Sequence, residues 1–103
     1  MRNSPMIEFP VEEFEWRLER LTKALKEANL DGIILTTKEN TRYFSGLQSI
    51  IWSSKVSTPG LAIVTAAGGI SMVGSASAVE TIKFTGCVED EDVYHFNRNG
   101  LPG

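Results

Sequence analysis

The sequence between residues 16 and 47 places an amphipathic helix, a short apolar strand and a second helix next to one another with almost no linker. The amphipathic helix begins a few residues before this stretch. Its apolar side chains recur at spacings of three and four residues, at Phe14, Leu18, Leu21, Leu25 and Ala28. This spacing puts them on one face of a helix that runs from Pro10 to about Asn29. A helix of this kind must bury its apolar face against another layer, which restricts the chain to a few layered architectures.

The run that follows, residues 32–36, is too short for a helix and is apolar at consecutive positions. Such a pattern is typical of a strand in the centre of a sheet, covered by helices on both faces. Thr36 then stands three residues before Glu39, the spacing of a helix-capping box, so a second helix is predicted through Phe44. It is expected to end at Ser45 and Gly46, where glycine can close the last turn.

The second half of the chain predicts more strands. Residues 61–65 and 70–73 are β-prone and are separated by four residues, which indicates an antiparallel hairpin. Ser77 and Glu80 repeat the capping-box spacing, so a third helix is expected to begin there and to end at Gly86. Residues 93–96 predict a last strand. The sequence therefore predicts an α/β fold with a mixed sheet.

Size and charge exclude several classes of protein. A chain of 103 residues is long enough for one domain with one core, and it leaves no room for a second, catalytic domain. The net charge of −3, with no clustered positive face, argues against nucleic acid as a partner. No apolar run approaches the roughly 20 residues that a membrane span needs. The N-terminus lacks the apolar core of a secretion signal, so a cytoplasmic location is expected.

Side chains that could carry chemistry are few. The acidic run at residues 89–92 lacks the ligand spacing of a calcium loop and is interpreted as a solvated turn. His95 is the only histidine and is expected to be an ordinary sheet residue, since a zinc site needs further strong ligands. Cys87, the only cysteine, is expected to fill a small apolar space. Residues 74–77 could bind an anion at a helix N-terminus, which leaves open a free-standing α/β module that binds a small molecule or anion.

The segment from Arg17 to Gly46 resembles the opening of the N-terminal domain of the creatinase, prolidase and Xaa-Pro aminopeptidase family. The matching features occur in the family's order: a helix, a strand introduced by Asp31-Gly32, and then Glu39-Asn40-Thr41-Arg42-Tyr43-Phe44-Ser45-Gly46. The resemblance implies a mixed parallel and antiparallel sheet with helices on both faces, truncated at its C-terminal end. It also implies a tail at residues 1–9, a domain at residues 10–97 and a second tail at residues 98–103.

In that family the N-terminal domain is non-catalytic, and a separate C-terminal domain carries the chemistry. The resemblance therefore implies no catalytic residue and no cofactor in this chain. The parent protein would bind two divalent cations if it is a peptidase and none if it is of the creatinase type. The implied partners are the parent's C-terminal catalytic domain and further copies of the same subunit.

The resemblance also suggests residues near a neighbouring subunit's active site. The segment after the Tyr-hydrophobic-Ser-Gly motif reaches that site in creatinase-like relatives, so Trp52 and Lys55 are candidates by position. A place for Trp52 in the core is an equally good interpretation. Arg42 is the third candidate, although it could simply pair with a nearby carboxylate. Tyr43 and Phe44 are expected to pack under the sheet.

Overall fold

The computed structural model describes residues 1–48 and 60–96, which form three α-helices and four strands. In chain order these are α1 (Val11–Glu27), β1 (Gly32–Leu35), α2 (Lys38–Ser45), β2 (Gly60–Thr65), β3 (Ile70–Ser75), α3 (Ala76–Thr85), a short 3-10 helix (Asp90–Asp92) and β4 (Val93–Phe96). The predicted α/β class is confirmed. No helix in the described ranges has the length and apolar character needed to cross a bilayer.

The four strands form one mixed sheet in the order β1-β2-β3-β4. β1 and β2 are antiparallel with Ile34 opposite Ile63, and β2 and β3 are antiparallel with Ala62 opposite Met72. β3 and β4 are parallel, with Met72 opposite Val93, and α3 makes the crossover between them. The predicted hairpin and mixed sheet are therefore confirmed. The central place predicted for the first strand is wrong within the described residues, because β1 lies at an edge.

The hydrophobic core lies between one face of the sheet and the helices. Alternate side chains of the strands supply the sheet side of the core, at Leu35, Ala62, Val64, Ile70 and Met72. All three helices pack against this one cluster, α1 through Leu25, α2 through Phe44 and α3 through Ile82. Because strand side chains alternate between faces, the periodicity of β2 and β3 is two, with buried residues at every second position.

The opposite face of the sheet carries Ile34, Leu61, Ile63, Ser71, Val73 and Tyr94, and we refer to it as the open face. Ile34 is 60% exposed and Tyr94 is 55% exposed, while the other members are partly buried. No helix in the described residues contributes a core side chain to this face, so the second helical layer expected from the resemblance is not formed by them. The apolar run at residues 33–35 predicted burial on both faces, but Ile34 points away from the helices.

The helix caps differ from the predicted ones by one or two residues. The cap of α2 is Thr37, whose Oγ1 accepts a hydrogen bond from the Asn40 amide at 3.2 Å, and not Thr36. The cap residue of α3 is Ser75 rather than Ser77. Capping-box spacings therefore located both helix starts approximately but chose the wrong residue, because neighbouring Thr or Ser residues can serve equally well.

The N-terminal segment packs against the chain that follows α3. The Arg2 amide donates to the Cys87 carbonyl at 2.9 Å, and the Met6 amide donates to the Phe84 carbonyl at 3.0 Å. The amino group of Met1 lies 3.1 Å from a carboxylate oxygen of Glu89. Residues 1–6 are thus held on the body of the domain, and the domain limits expected from the sequence stay a prediction.

Candidate functional site

Arg42 lies in the last turn of α2 and pairs with Glu8 of the N-terminal segment. Its Nε donates to Oε1 of Glu8 at 3.1 Å, and its Nη2 donates to the second carboxylate oxygen, so the pair is bidentate. This hydrogen bonding raises the pKa of Arg42. The carboxylate partner expected as one interpretation is present, and it ties the N-terminal segment to α2. A role for Arg42 next to substrate remains a prediction.

Exchanging Arg42 for glutamine is expected to lower the free energy of unfolding by no more than about 1 kcal/mol, because exposed ion pairs contribute little. The Arg42 side chain is 48% exposed, so water screens the pair. The measurement is urea denaturation of the Arg42→Gln, Glu8→Gln and double variants as a double-mutant cycle. A coupling energy above about 2 kcal/mol would contradict this assessment.

Gln48 is the last described residue before Trp52 and Lys55, and two hydrogen bonds hold it in place. Its backbone amide donates to Oγ1 of Thr85 at 3.0 Å, and its side-chain Nε2 donates to the Met6 carbonyl at 3.0 Å. Trp52 and Lys55 lie outside the described residues, which resume at the start of β2. Their predicted place at a neighbouring subunit's active site is therefore not tested by the structure.

Tyr43 and Phe44 have different environments although they are neighbours in α2. Phe44 packs against the core cluster, as predicted. Tyr43 is 42% exposed, so the prediction that it packs under the sheet is wrong. The two rings meet edge to face, with centroids 4.9 Å apart. Consecutive helical residues point in directions about 100° apart, so only one of the two can face the core.

Cys87 is fully buried, as expected for a small apolar filler. Burial in apolar surroundings raises the pKa of its thiol to about 12. Since the thiolate is the reactive form, this cysteine is inert at neutral pH. It is unsuited to act as a nucleophile in the folded domain.

The stability of the domain is expected to fall as the pH rises from about 9 towards 12, by roughly 1.4 kcal/mol per pH unit at most from Cys87. In that range the unfolded thiol ionises while the folded thiol keeps its proton, so alkali favours the unfolded chain. The measurement is urea denaturation at pH 8, 9, 10 and 11 for the wild type and Cys87→Ala. The difference between the slopes of the two proteins isolates the contribution of Cys87, and equal slopes would contradict the prediction.

A cleft of about 510 Å³ lies between α1 and the turns at residues 68–70 and 88–92. Four carboxylates line it: Glu15, Glu19, Glu89 and Asp92. Within residues 1–48 and 60–96, no three His, Cys, Asp or Glu side chains stand together in a way that could hold a metal ion. The expectation that this chain holds no cofactor stays a prediction.

The remaining sequence candidates occupy ordinary positions. His95 is exposed in β4, where it pairs with Gly74 of β3. The last three residues of the acidic run form the 3-10 helix (Asp90–Asp92), and Arg2 pairs with Asp90 at 3.1 Å. Gly74 and Ser75 end β3 immediately before the first turn of α3, so the expected anion site would lie at that helix N-terminus. It stays a prediction.

Sequence reasoning did not single out Arg17 and Arg20 of α1. The Arg17 guanidinium carbon lies 4.1 Å from the centroid of the Tyr43 ring, and that of Arg20 lies 4.6 Å from the Trp16 ring. The sequence signal was their spacing, because residues three apart on a helix share one side. That spacing does not predict the contact between Arg17 and Tyr43 of α2.

Comparison with families of known proteins places most of the chain in one domain family. The family model described as the creatinase/prolidase N-terminal domain matches residues 17–102, which include all three α-helices in part or whole and all four strands. No curated protein matches the chain.

Proposed function

Because the chain belongs to the family of creatinase/prolidase N-terminal domains, we propose that it is the non-catalytic N-terminal domain of a hydrolase of the Xaa-Pro peptidase or creatinase type. The observation that carries the proposal is the family match over residues 17–102. The chemistry, including any divalent cations, would belong to a separate catalytic domain in the cytoplasm.

The domain would associate with a neighbouring subunit and form one wall of that subunit's active site. The open face supports association, because its six members include no charged side chain and Ile34 and Tyr94 are each more than half exposed. Apolar surface of this kind gains free energy when a second surface excludes water from it. A wall that this domain adds to the neighbouring subunit's active site would narrow that active site and exclude water from it. A narrower active site favours short substrates.

Association is tested by mixing the chain with a creatinase- or prolidase-type catalytic domain expressed without its own N-terminal domain. Light scattering after gel filtration is expected to show a complex with the wild type. The substitution Ile34→Lys is expected to weaken that complex at least about tenfold, because a lysine must be desolvated at an apolar contact. Leu30→Lys is the matched control, since Leu30 is 53% exposed and precedes the sheet. Failure of the wild type to associate, or equal loss in both variants, would contradict the proposal.

The active-site wall is tested in the same mixture by steady-state kinetics. Trp52→Ala and Lys55→Gln are expected to raise KM with little change in kcat, as for groups that bind substrate without taking part in bond cleavage. Arg42→Gln tests the third candidate, whose guanidinium is paired with Glu8, and a raised KM in this variant would add Arg42 to the wall. Unchanged KM in the Trp52 and Lys55 variants would remove the wall from the proposal and leave association standing.

A further inference from the structure

A second, smaller cleft of about 250 Å³ lies between α1 and α2, and we refer to it as the α1–α2 cleft. Arg17, Arg20 and Leu21 line it from α1, and Tyr43 and Phe44 line it from α2. Two guanidinium groups thus stand beside apolar and aromatic side chains. Nothing in the proposed association with a catalytic domain uses this cleft.

Arg17 is held in one orientation. Its Nε donates to a carboxylate oxygen of Glu13 at 3.0 Å, and its Nη1 donates to the Tyr43 carbonyl at 2.9 Å. The guanidinium also lies over the Tyr43 ring, and its side chain is 11% exposed. Within the described residues, its Nη2 has no hydrogen-bond partner. A fixed guanidinium with free N–H groups loses little entropy when it binds an anion.

Arg20 carries a charge that the described part of the chain does not neutralise. Its guanidinium stacks at 4.6 Å from the Trp16 ring centroid, and no carboxylate in residues 1–48 or 60–96 makes an ion pair with it. Stacking covers the face of the guanidinium and leaves its N–H edges available. Because Glu13 offsets Arg17, the cleft has one uncompensated positive charge, on a chain whose net charge is −3.

We propose that the α1–α2 cleft binds a carboxylate attached to an apolar group. The N–H edge of a guanidinium matches a carboxylate in a bidentate arrangement, and a single uncompensated charge suits a monoanion better than a dianion. Leu21 and Phe44 supply an apolar floor for the rest of the ligand. The volume is below that of usual drug-sized sites, so the ligand group is about the size of one amino-acid residue.

The probe for this site is 3-phenylpropanoate, with the neutral 3-phenylpropanamide and the dianion phenyl phosphate as comparisons. Titration of the full chain is followed by NMR through the indole N–H of Trp16 and the side-chain N–H of the arginines. The carboxylate is expected to shift these signals saturably, and the amide is expected to bind at least about tenfold more weakly. Equal binding of the amide, or tighter binding of phenyl phosphate, would overturn the assignment.

Variants distinguish binding at the α1–α2 cleft from general electrostatic attraction of the anion to the protein surface. Arg20→Gln is expected to weaken binding of 3-phenylpropanoate about tenfold or more, and Arg20→Lys by less, because lysine keeps the charge but loses the paired N–H groups. Arg20 is exposed, so both variants should fold, which far-UV circular dichroism checks. Lys26→Gln removes the same charge from an exposed position of α1 that does not line the cleft and should leave binding unchanged. Equal weakening in Lys26→Gln, or none in Arg20→Gln, would overturn the proposal.

The carboxylate could come from a chain terminus or from an acidic side chain, and two peptides distinguish these sources. Acetyl-Ala-Phe with a free C-terminal carboxylate presents the first, and acetyl-Glu-Phe-amide presents the second. Saturable binding of either peptide that Arg20→Gln abolishes supports the proposal, and the tighter peptide identifies the source. If neither peptide binds, the assignment of a site for a carboxylate carried by a peptide is wrong.

Discussion

Replacing Phe14 by alanine is expected to lower the free energy of unfolding by about 3–5 kcal/mol, the cost of removing a fully buried aromatic ring. Phe14 has no exposed surface. Its ring packs beside Gly46 at the end of α2, and the Arg17 guanidinium lies 5.2 Å from its centroid. A loss of this size is a large part of the roughly 5–15 kcal/mol that holds a small domain folded.

The measurement for Phe14→Ala is thermal and urea denaturation, with a fall in Tm of at least about 12 °C expected for a domain of this size. Phe9→Ala is the matched control, because Phe9 is the same residue type, lies 6.3 Å away between ring centroids and is 42% exposed. We expect it to cost about 1 kcal/mol or less, in line with partial burial. Similar losses in the two variants would show that Phe14 is not the buried anchor of α1.

Replacing Gly46 by alanine is expected to lower the free energy of unfolding by about 2–4 kcal/mol, from backbone strain and crowding together. Gly46 closes α2 with a φ of 80°, in the left-handed region that side chains disfavour. An added Cβ would lie 3.2 Å from Cζ of Phe14 and 3.2 Å from the carbonyl oxygen of Thr85. Phe14 cannot move freely because it is fully buried, and the Thr85 oxygen cannot because it belongs to the backbone.

Gly68→Ala separates the two causes in the same denaturation experiment. Gly68 has a φ of 106°, but no atom lies within 4 Å of a Cβ built there. Gly68→Ala is therefore expected to lower the free energy of unfolding through backbone strain alone, by about 1–2 kcal/mol. If Gly46→Ala cost no more than Gly68→Ala, the contacts with Phe14 and Thr85 would be energetically unimportant.

The core could be predicted from the sequence where periodicity is long and regular. The three- and four-residue spacing of Phe14, Leu18, Leu21 and Leu25 identified the face of α1 that packs inwards. The hairpin of β2 and β3 was equally readable, because two β-prone runs flank a short connection that contains Gly68. Such patterns depend on local geometry alone, so a single sequence is sufficient to find them.

The rest depends on contacts between distant segments. Ile34 belongs to a run that indicates a fully covered strand, yet which face receives helices is decided by how all the elements pack. The pairing of Arg42 with Glu8 joins residues 34 apart in the chain, and the stacking of Arg17 on Tyr43 joins two helices. No spacing rule connects such pairs. The residues after Gln48 that the family resemblance indicated lie outside the described part of the chain.

The topology of the sheet also sets an order in which its strands can pair during folding. β2 and β3 are joined by four residues, whereas β4 reaches β3 only after α3 and the 3-10 helix have been traversed. Closing the longer connection costs more chain entropy, so the hairpin is expected to form in the transition state and β4 to dock later. Val73 and Tyr94 are opposite each other in the parallel pair. In stopped-flow experiments, Val73→Ala should mainly slow refolding, and Tyr94→Ala should mainly accelerate unfolding.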